Sequence, residues 1–296
     1  MTILVIGTGS IGTRHATNLA TLGVTVKAVS VRAVGLDGAL AQIRAGLRGA
    51  VIATETQVRL PLIAACAAAD VPMYVEKPLA FDLGELAEIH QLAAPIAARS
   101  LVGFMMRYHP TFRDLASADL SDTYRFSFDI GHDVTQWRKN WRFSDSYASR
   151  PQGGGVLLDL CHELDMATCL FPGAEIGAVD CIGHVNYPGV DMATRIVLGG
   201  AALGTVSMDY LSPVSTRTID IAGARVRRSI DMLSIAFVRN EMFLAAMRDW
   251  LALVDGRAVS TVEHLPRLDL VGDSCTRIAA AWQARRFVGQ ISGDKP

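Results

Sequence analysis

The sequence predicts an α/β protein of two domains: a doubly wound parallel sheet, then an α/β domain built on a mostly antiparallel sheet. Three observations carry this. Over the first hundred residues, short continuous apolar runs alternate with helix-like segments, the pattern of a parallel sheet covered on both faces. The first such run leads straight into Gly7-Thr8-Gly9-Ser10-Ile11-Gly12. From residue 177 to 231, strand-like runs follow one another with turn residues between them and no helix, which favours antiparallel pairing.

Taken in order, residues 3–6 are a continuous apolar strand, and residues 11–22 form a helix ended by Gly23. Residues 24–31 and 50–53 are the next two strands, joined by a short crossover through Leu40 and Ile43. An Ala-rich helix over 60–69 leads to a fourth strand at 71–75; a helix at 83–94 leads to a fifth at 101–104. The rhythm then changes. Residues 124–130 alternate as a half-buried strand. Residues 156–170 read as one helix, stopped at Pro172-Gly173. Strand-like runs follow at 177–184, 194–198, 203–210, 216–222 and 226–231, and amphipathic helices at 237–254 and 274–287. The expected division is residues 1–106 and 107–296, without a flexible linker.

Composition narrows the function. The 296 residues are half hydrophobic, and 28 basic against 29 acidic residues give a net charge of −1. That balance does not suit a nucleic-acid surface, and no Lys/Arg run suggests a membrane-surface patch. No uncharged apolar run reaches ~18 residues, and the first residues lack the basic start and cleavage site of a signal peptide. The cysteines Cys66, Cys161, Cys169, Cys181 and Cys275 lack metal-ligand spacing and suit a reduced, cytoplasmic protein.

A GxGxxG that follows a strand and opens a helix is a dinucleotide cradle. Gly7 permits the tight turn, Gly9 lets the backbone approach a pyrophosphate, and Gly12 allows close helix–sheet packing. Ser10 and Ile11 lie on the first turn, where free N–H groups and the helix dipole favour an anion. The second strand should carry a ribose-reading residue, and an acid there favours NAD. This chain has Val29-Ser30-Val31-Arg32 and no acid until Asp37. The Ser30 hydroxyl and Arg32 guanidinium suit a 2′-phosphate, so NADP(H) is favoured over NAD(H).

Glu76-Lys77-Pro78 follows the fourth strand, at the sheet edge where open α/β folds bind ligands. Farther on, Gly153-Gly154-Gly155 precedes a helix carrying Asp159, His162 and Asp165 at i, i+3 and i+6. A histidine flanked by carboxylates on one face can be oriented and kept basic. The glycines can let the chain approach another surface closely. His15, His90, His132, His184 and His264 have no comparable setting and read as ordinary.

The glycine turn, the Glu-Lys-Pro after the fourth strand and the Gly-Gly-Gly…Asp…His segment together resemble the Gfo/Idh/MocA oxidoreductases, relatives of glucose–fructose oxidoreductase and inositol dehydrogenase. The resemblance covers nearly the whole chain. It implies a Rossmann domain joined to an α/β domain with an open, mostly antiparallel sheet. It also implies that Lys77 contacts the reacting hydroxyl, that His162 is the acid/base, and that Thr54, Glu76 and Lys77 face the cofactor. The family's usual Asp stands four residues before the His. Here Leu158 holds that place and Asp159 stands three before, so the partner of His162 is either Asp159 or Asp165. Where many members read Asn-Pro…His after the third strand, this chain reads Thr54-Glu55…Arg59.

Residues 102–110, with Trp137 and Tyr147-Ala148-Ser149-Arg150, resemble a subgroup associated with bacterial surface sugars. Arg107, Trp137, Tyr147 and Arg150 are accordingly candidates for a substrate wall, with Asp159 and His162. Rings suit the apolar face of a sugar and guanidinium suits a carboxylate or phosphate. The reaction implied is hydride exchange between a nicotinamide and a sugar or polyol hydroxyl, with a protein base for the proton. Two other readings exist: a non-catalytic cofactor-binding regulator, which would need neither Lys77 nor His162, and an NAD-assisted glycosidase. Apolar residues Ile196, Leu198, Val206 and Met208 are expected on an uncovered sheet face, which invites a partner subunit; relatives commonly pair through it. A homodimer or homotetramer is therefore expected.

Overall fold

The computed structural model describes residues 2–137, 142–259 and 264–293. The chain begins with β1 (Ile3–Ile6), α1 (Ser10–Thr21), β2 (Val26–Val29), α2 (Val31–Ile43), β3 (Gly49–Ile52), α3 (Arg59–Ala68), β4 (Met73–Val75), α4 (Leu83–Ala93), β5 (Leu101–Val102) and α5 (Pro110–Ala116). The five strands form one parallel sheet in the order β2-β1-β3-β4-β5. β1 and β3 are buried throughout, which is why their sequences are unbroken apolar runs. Because the chain runs outward from β1 to β2 and from β3 to β5, the order reverses between β1 and β3. Ligands bind at such a switch point, outside the carboxyl ends of the strands.

Three strands of this sheet are shorter than predicted, among them β5, which ends at Val102. β2 is an edge strand bonded only to β1, through Ile3↔Val26 to Ile6↔Val29, and helix α2 starts directly after Ser30. At β4 Pro72 has no N–H to give a ladder, and regular pairing begins at Met73.

The chain continues with β6 (Thr123–Gly131), α6 (Val156–Asp159), α7 (His162–Leu170), β7 (Glu175–His184), β8 (Tyr187–Gly199), β9 (Leu203–Asp209), β10 (Thr216–Gly223) and β11 (Arg227–Asp231). It ends with α8 (Arg239–Val254), α9 (Gly272–Gln283) and β12 (Arg286–Ile291). These strands form a seven-stranded sheet, β11-β10-β6-β9-β8-β7-β12. Four pairings are antiparallel and two, β6·β9 and β12·β7, are parallel. The mostly antiparallel expectation therefore holds, within a mixed sheet.

The chain divides into two compact units: Met1–Arg113 with Val238–Cys275, and Asp114–Phe237 with Thr276–Pro296. Helix α8 thus packs with the parallel sheet. Its Trp250 is fully buried, edge-on to Tyr74 of β4.

Three expectations are corrected. The helix predicted over 156–170 is two helices, because the backbone leaves helical geometry at Leu160 (φ −104°, ψ 24°). The helix predicted over 274–287 stops at Gln283, and β12 follows. There Arg285 stacks on Trp282 and bonds the buried Asp191, while Arg286 pairs with Asp180 of β7 at 2.7 Å. Finally, Ile196, Leu198, Val206 and Met208 do not form an open face. All four are buried on the side covered by α6 and α7. The face between them carries Arg125, Ser127, Arg195, Val197 and Thr205, with Leu203 70% exposed. Alternation shows which residues share a face, not which face the helices cover.

Candidate active site

In the first unit, β1 ends at Gly7, whose φ of +113° suits glycine. A Cβ on Gly7 would lie 2.3 Å from the Ala53 carbonyl oxygen, and one on Gly12 would lie 1.9 Å from that of Gly7. Both glycines are needed by the fold itself. Gly9 is different. Its φ and ψ (−71°, −176°) are open to any residue, and a Cβ there would meet nothing within 4 Å. The space beside it is left for something outside the chain. Gly9 is also the N-cap of α1, and no side chain caps the helix, so the first-turn N–H groups of Ser10, Ile11 and Gly12 lack intrahelical partners. Thr54, after β3, has its Oγ1 buried without a hydrogen-bond partner. An anion on the helix terminus and a polar group against Thr54 are what a dinucleotide would bring, so the residues present fit that group.

Ser30 is the N-cap of α2, without a side-chain bond, and Arg32 lies in that helix's first turn. The Arg32 side chain is 86% exposed and its Nη2 is 3.0 Å from Glu55 Oε1. β2 and β3 flank β1, so this pair joins the turns on either side of the glycine turn.

Glu76 and Lys77 follow β4, and the Lys77–Pro78 peptide is cis. Lys77 is half-buried. Glu76 is buried, with Oε1 2.6 Å from Nε2 of His15, a fully buried residue of α1. Burial pushes the Glu76 carboxyl up. The His15 hydrogen bond and the charges of His15, Lys77 and Arg59 outweigh burial and hold it below the ordinary carboxylate value. Arg59, also buried, donates to the carbonyls of Thr54, Glu76 and Pro78. Neither His15 nor Arg59 was expected in this role. The only sequence signal was Arg59 standing where relatives carry a histidine. Arg107 is not at an open surface: it is buried, donating to the His264 carbonyl and Ser274 Oγ at 3.2 and 3.1 Å.

In the second unit, Gly154 and Gly155 serve the unit's own packing. A Cβ on Gly154 would fall within 3 Å of the Tyr147, Ala148 and Arg150 carbonyl oxygens, and one on Gly155 (φ +91°) would fall 2.0 Å from Asp191 Oδ1. Asp191 Oδ2 in turn accepts from Leu157 N at 2.8 Å and fixes the start of α6. At the end of that helix Asp159 is buried. Its Oδ1 accepts from the Tyr147 hydroxyl, and its Oδ2 from Tyr210 at 3.0 Å. Burial and the Asp159 charge push the Tyr210 phenol well above its ordinary pKa, so it stays a donor. Tyr210 was not foreseen; a phenol at a strand end carries no sequence signal of its own.

Trp137 lies edge-on to Tyr210 at 5.4 Å and 4.9 Å from the His132 ring. The structure thus brings Asp159, Tyr147 and Trp137 together around Tyr210. Arg150 is exposed three residues before the first glycine, Gly153. His162 and Asp165 are buried on α7, with Asp165 fully so, and the neighbouring Glu163 is bonded by Arg217 of β10 at 2.6 Å. Because α6 and α7 are separate, Asp159 and His162 do not lie on one continuous helix face. Among the described residues, no group of three His, Cys, Asp or Glu could hold a metal, and no helix is long and apolar enough to cross a membrane.

No protein-family model matches the chain. It is 29% identical over 240 residues to the myo-inositol dehydrogenase Hyg17 of Streptomyces leeuwenhoekii, covering 72% of this chain and 71% of that one. Its fold matches a probable dehydrogenase from Thermotoga maritima with a TM-score of 0.76 at 17% identity, over 96% of this chain and 95% of that chain. It matches GenD2 from gentamicin A biosynthesis, in complex with NAD, at 0.74 and 19% identity, over 96% and 93%. The glycine turn, the Glu-Lys-Pro edge and the Gly-Gly-Gly…His segment sit in that shared fold in the order of the Gfo/Idh/MocA oxidoreductases, which the chain resembles.

Proposed function

We propose that the chain is an NAD(P)-dependent dehydrogenase acting on CH–OH groups, moving a hydride between the cofactor and a sugar, sugar-derivative or polyol carbon. The observation that carries this is the pairing, on one sheet edge, of a glycine turn whose Gly9 faces open space with a half-buried Lys77 on the turn after β4. Its sequence likeness to a myo-inositol dehydrogenase supports the substrate class, and its fold is that of a protein solved in complex with NAD.

Gly7, Gly9, Gly12, Ser10 and Ile11 would hold the pyrophosphate; Ser30 and Arg32 the adenosine side; Thr54, Glu76 and Lys77 the nicotinamide side. A nicotinamide held there supplies the hydride acceptor or donor. Lys77 orients the reacting oxygen and His162 takes or returns its proton. Asp159, already an acceptor for two phenols, or Asp165 beside His162 on α7, holds the imidazole in place. Trp137, Tyr147 and Arg150 offer rings and a cation to a sugar derivative. A sugar and nucleotide-sugar panel, followed by NAD(P)H absorbance in both directions, tests this. Cofactor binding with no turnover on any member would favour the regulator reading.

NADP(H) is the preferred cofactor in this proposal, because no acid follows β2. Glu55 shares Arg32 in the free chain, and an exposed pair of this kind is worth at most about 1 kcal/mol. A 2′-phosphate can therefore take the guanidinium. Arg32→Ala should weaken NADPH binding about tenfold or more with little change for NADH, since hydrogen bonds to charged groups are worth about 1.5–3 kcal/mol. Glu55→Gln should tighten NADPH. Fluorescence titration with both reduced cofactors decides it; tighter NADH binding by the parent would refute the preference.

A homodimer or homotetramer in a reducing, cytoplasmic compartment completes the proposal. All five cysteines are unbridged. The sheet face bearing Arg125, Arg195 and the exposed Leu203 mixes charge with apolar surface, as interfaces do. Light scattering at micromolar concentration should return at least twice the 31.8 kDa chain mass; a monomer mass would refute it.

A further inference from the structure

We propose that Arg59 is a positioning residue for Lys77, with the buried His15–Glu76 pair as the second leg of the same support. This rests on the assignment of Lys77 to the reacting hydroxyl. The sheet ladder ends just before the lysine: Glu76 N donates to Ile52 O at 2.9 Å and Gly103 N to Val75 O at 2.7 Å. Beyond that point the chain leaves the sheet. The carbonyls on both sides of Lys77, those of Glu76 and Pro78, accept from one atom, Arg59 Nη1. The same guanidinium donates through Nε and Nη2 to the Thr54 carbonyl, at 3.1 and 2.6 Å. One planar group thus ties the turn after β3 to the turn after β4.

Only arginine presents donors in a fixed fork of this breadth; a lysine ammonium is a point. The fork is itself anchored. Arg59 is the first residue of α3, whose Leu62, Ile63 and Cys66 are fully buried. Burying a guanidinium is unfavourable unless it is matched. The Thr54, Glu76 and Pro78 carbonyls match it, and the buried Glu76 carboxylate, which lies between His15 Nε2 and Gly103, where a Cβ would come to 3.0 Å from it, adds an electrostatic attraction. His15 is held between the rings of Tyr74 and Phe243, with centroids at 4.9 and 5.9 Å. A buried cation bonds the carbonyls of the residues on either side of Lys77, and a buried anion–imidazole pair fixes the Glu76 side chain just before it. An apolar side chain at 59 would fill the volume and leave those carbonyls unsatisfied and the lysine's backbone loose.

The chain has four lysines, Lys27, Lys77, Lys139 and Lys295, which makes competitive acetic anhydride labelling with peptide mass spectrometry a direct probe. Lys27, exposed on β2 of the same sheet, is the internal reference. In Arg59→Met, Lys77 should label about threefold or more faster relative to Lys27, the change that loss of one hydrogen bond's net contribution produces. On a panel alcohol that the parent oxidises, kcat should fall about ten- to a hundredfold, as a misplaced catalytic group does, while KM and NAD(P)H affinity change little. If Arg59→Met does not fold, Arg59→Lys keeps the charge without the fork and should move the labelling ratio the same way. An unchanged ratio in a folded variant overturns the proposal, whatever the activity. A changed ratio alongside a fully active Lys77→Met would leave the support standing and remove the role of Lys77.

Discussion

Lys77→Met should bind NAD(P)H within a few-fold of the parent and lose most of its turnover, about 10²–10⁴ in kcat, the usual range for a group that handles a proton in the transition state. Methionine keeps an unbranched stem of similar reach and removes the ammonium. The bonds from Arg59 to the Glu76 and Pro78 carbonyls involve only backbone acceptors, so the turn itself should survive. His162→Ala should behave in the same way. It removes a buried imidazole from the first position of α7, so its stability must be checked beside its rate. The two carboxylates separate by their effects. Asp159→Asn replaces an acceptor that holds the Tyr147 and Tyr210 hydroxyls with a group having one acceptor oxygen. If Asp159 orients His162, this change is milder than loss of the imidazole yet clearly measurable. If Asp165 is the partner, Asp159→Asn is nearly silent in kcat and Asp165→Asn is not. Steady-state rates with parallel cofactor titrations decide among these. Full activity in Lys77→Met would mean the active site is misplaced.

The parts of the molecule legible in the sequence are those whose physics is local. β1 and β3 are unbroken apolar runs because both faces of their sheet are covered, and a glycine turn between strand and helix has a short, recognisable spelling. The supports are not local. His15 meets Glu76 across 61 positions, Tyr210 meets Asp159 across 51, and Arg285 meets Asp191 across 94. Each is a buried polar group satisfied by a partner that only the folded chain supplies. The break at Leu160 was equally hidden. Residues 156–165 contain neither glycine nor proline, so nothing in the helical pattern marks where Val156–Asp159 gives way to His162–Leu170. In the second sheet, period-two alternation correctly grouped Ile196, Leu198, Val206 and Met208 on one face. It could not say that α6 and α7 lie on that face. Gly154 and Gly155 gave the reverse lesson: they approach carbonyl oxygens and Asp191 of their own unit, not an outside surface.

The glycine turn offers the sharpest test of cofactor binding, because its glycines should fail in opposite ways. In Gly12→Ala the new Cβ would lie 1.9 Å from the Gly7 carbonyl oxygen. That atom is backbone and cannot swing away. Overpacking usually costs about 1–3 kcal/mol, and a clash with a fixed backbone atom should reach the upper end or beyond. Urea denaturation should show a large fall in midpoint, and any loss of cofactor affinity would be secondary to it. In Gly9→Ala the Cβ meets nothing and the backbone angles are ordinary. Alanine restricts the unfolded chain, which stabilises by about 0.4–1 kcal/mol. It is also a poorer N-cap than glycine, by an amount of similar order. The two terms oppose, and the midpoint should stay close to that of the parent. Yet the methyl would stand in the space next to the helix N-terminus, where a pyrophosphate must approach the backbone. Affinity for NAD(P)H should fall about tenfold or more, equivalent to about 1.4 kcal/mol. A folded Gly9→Ala that binds both cofactors as the parent does would show that this turn cradles nothing, and the dehydrogenase reading would lose its footing at the residue where the chain's own packing asks for no glycine.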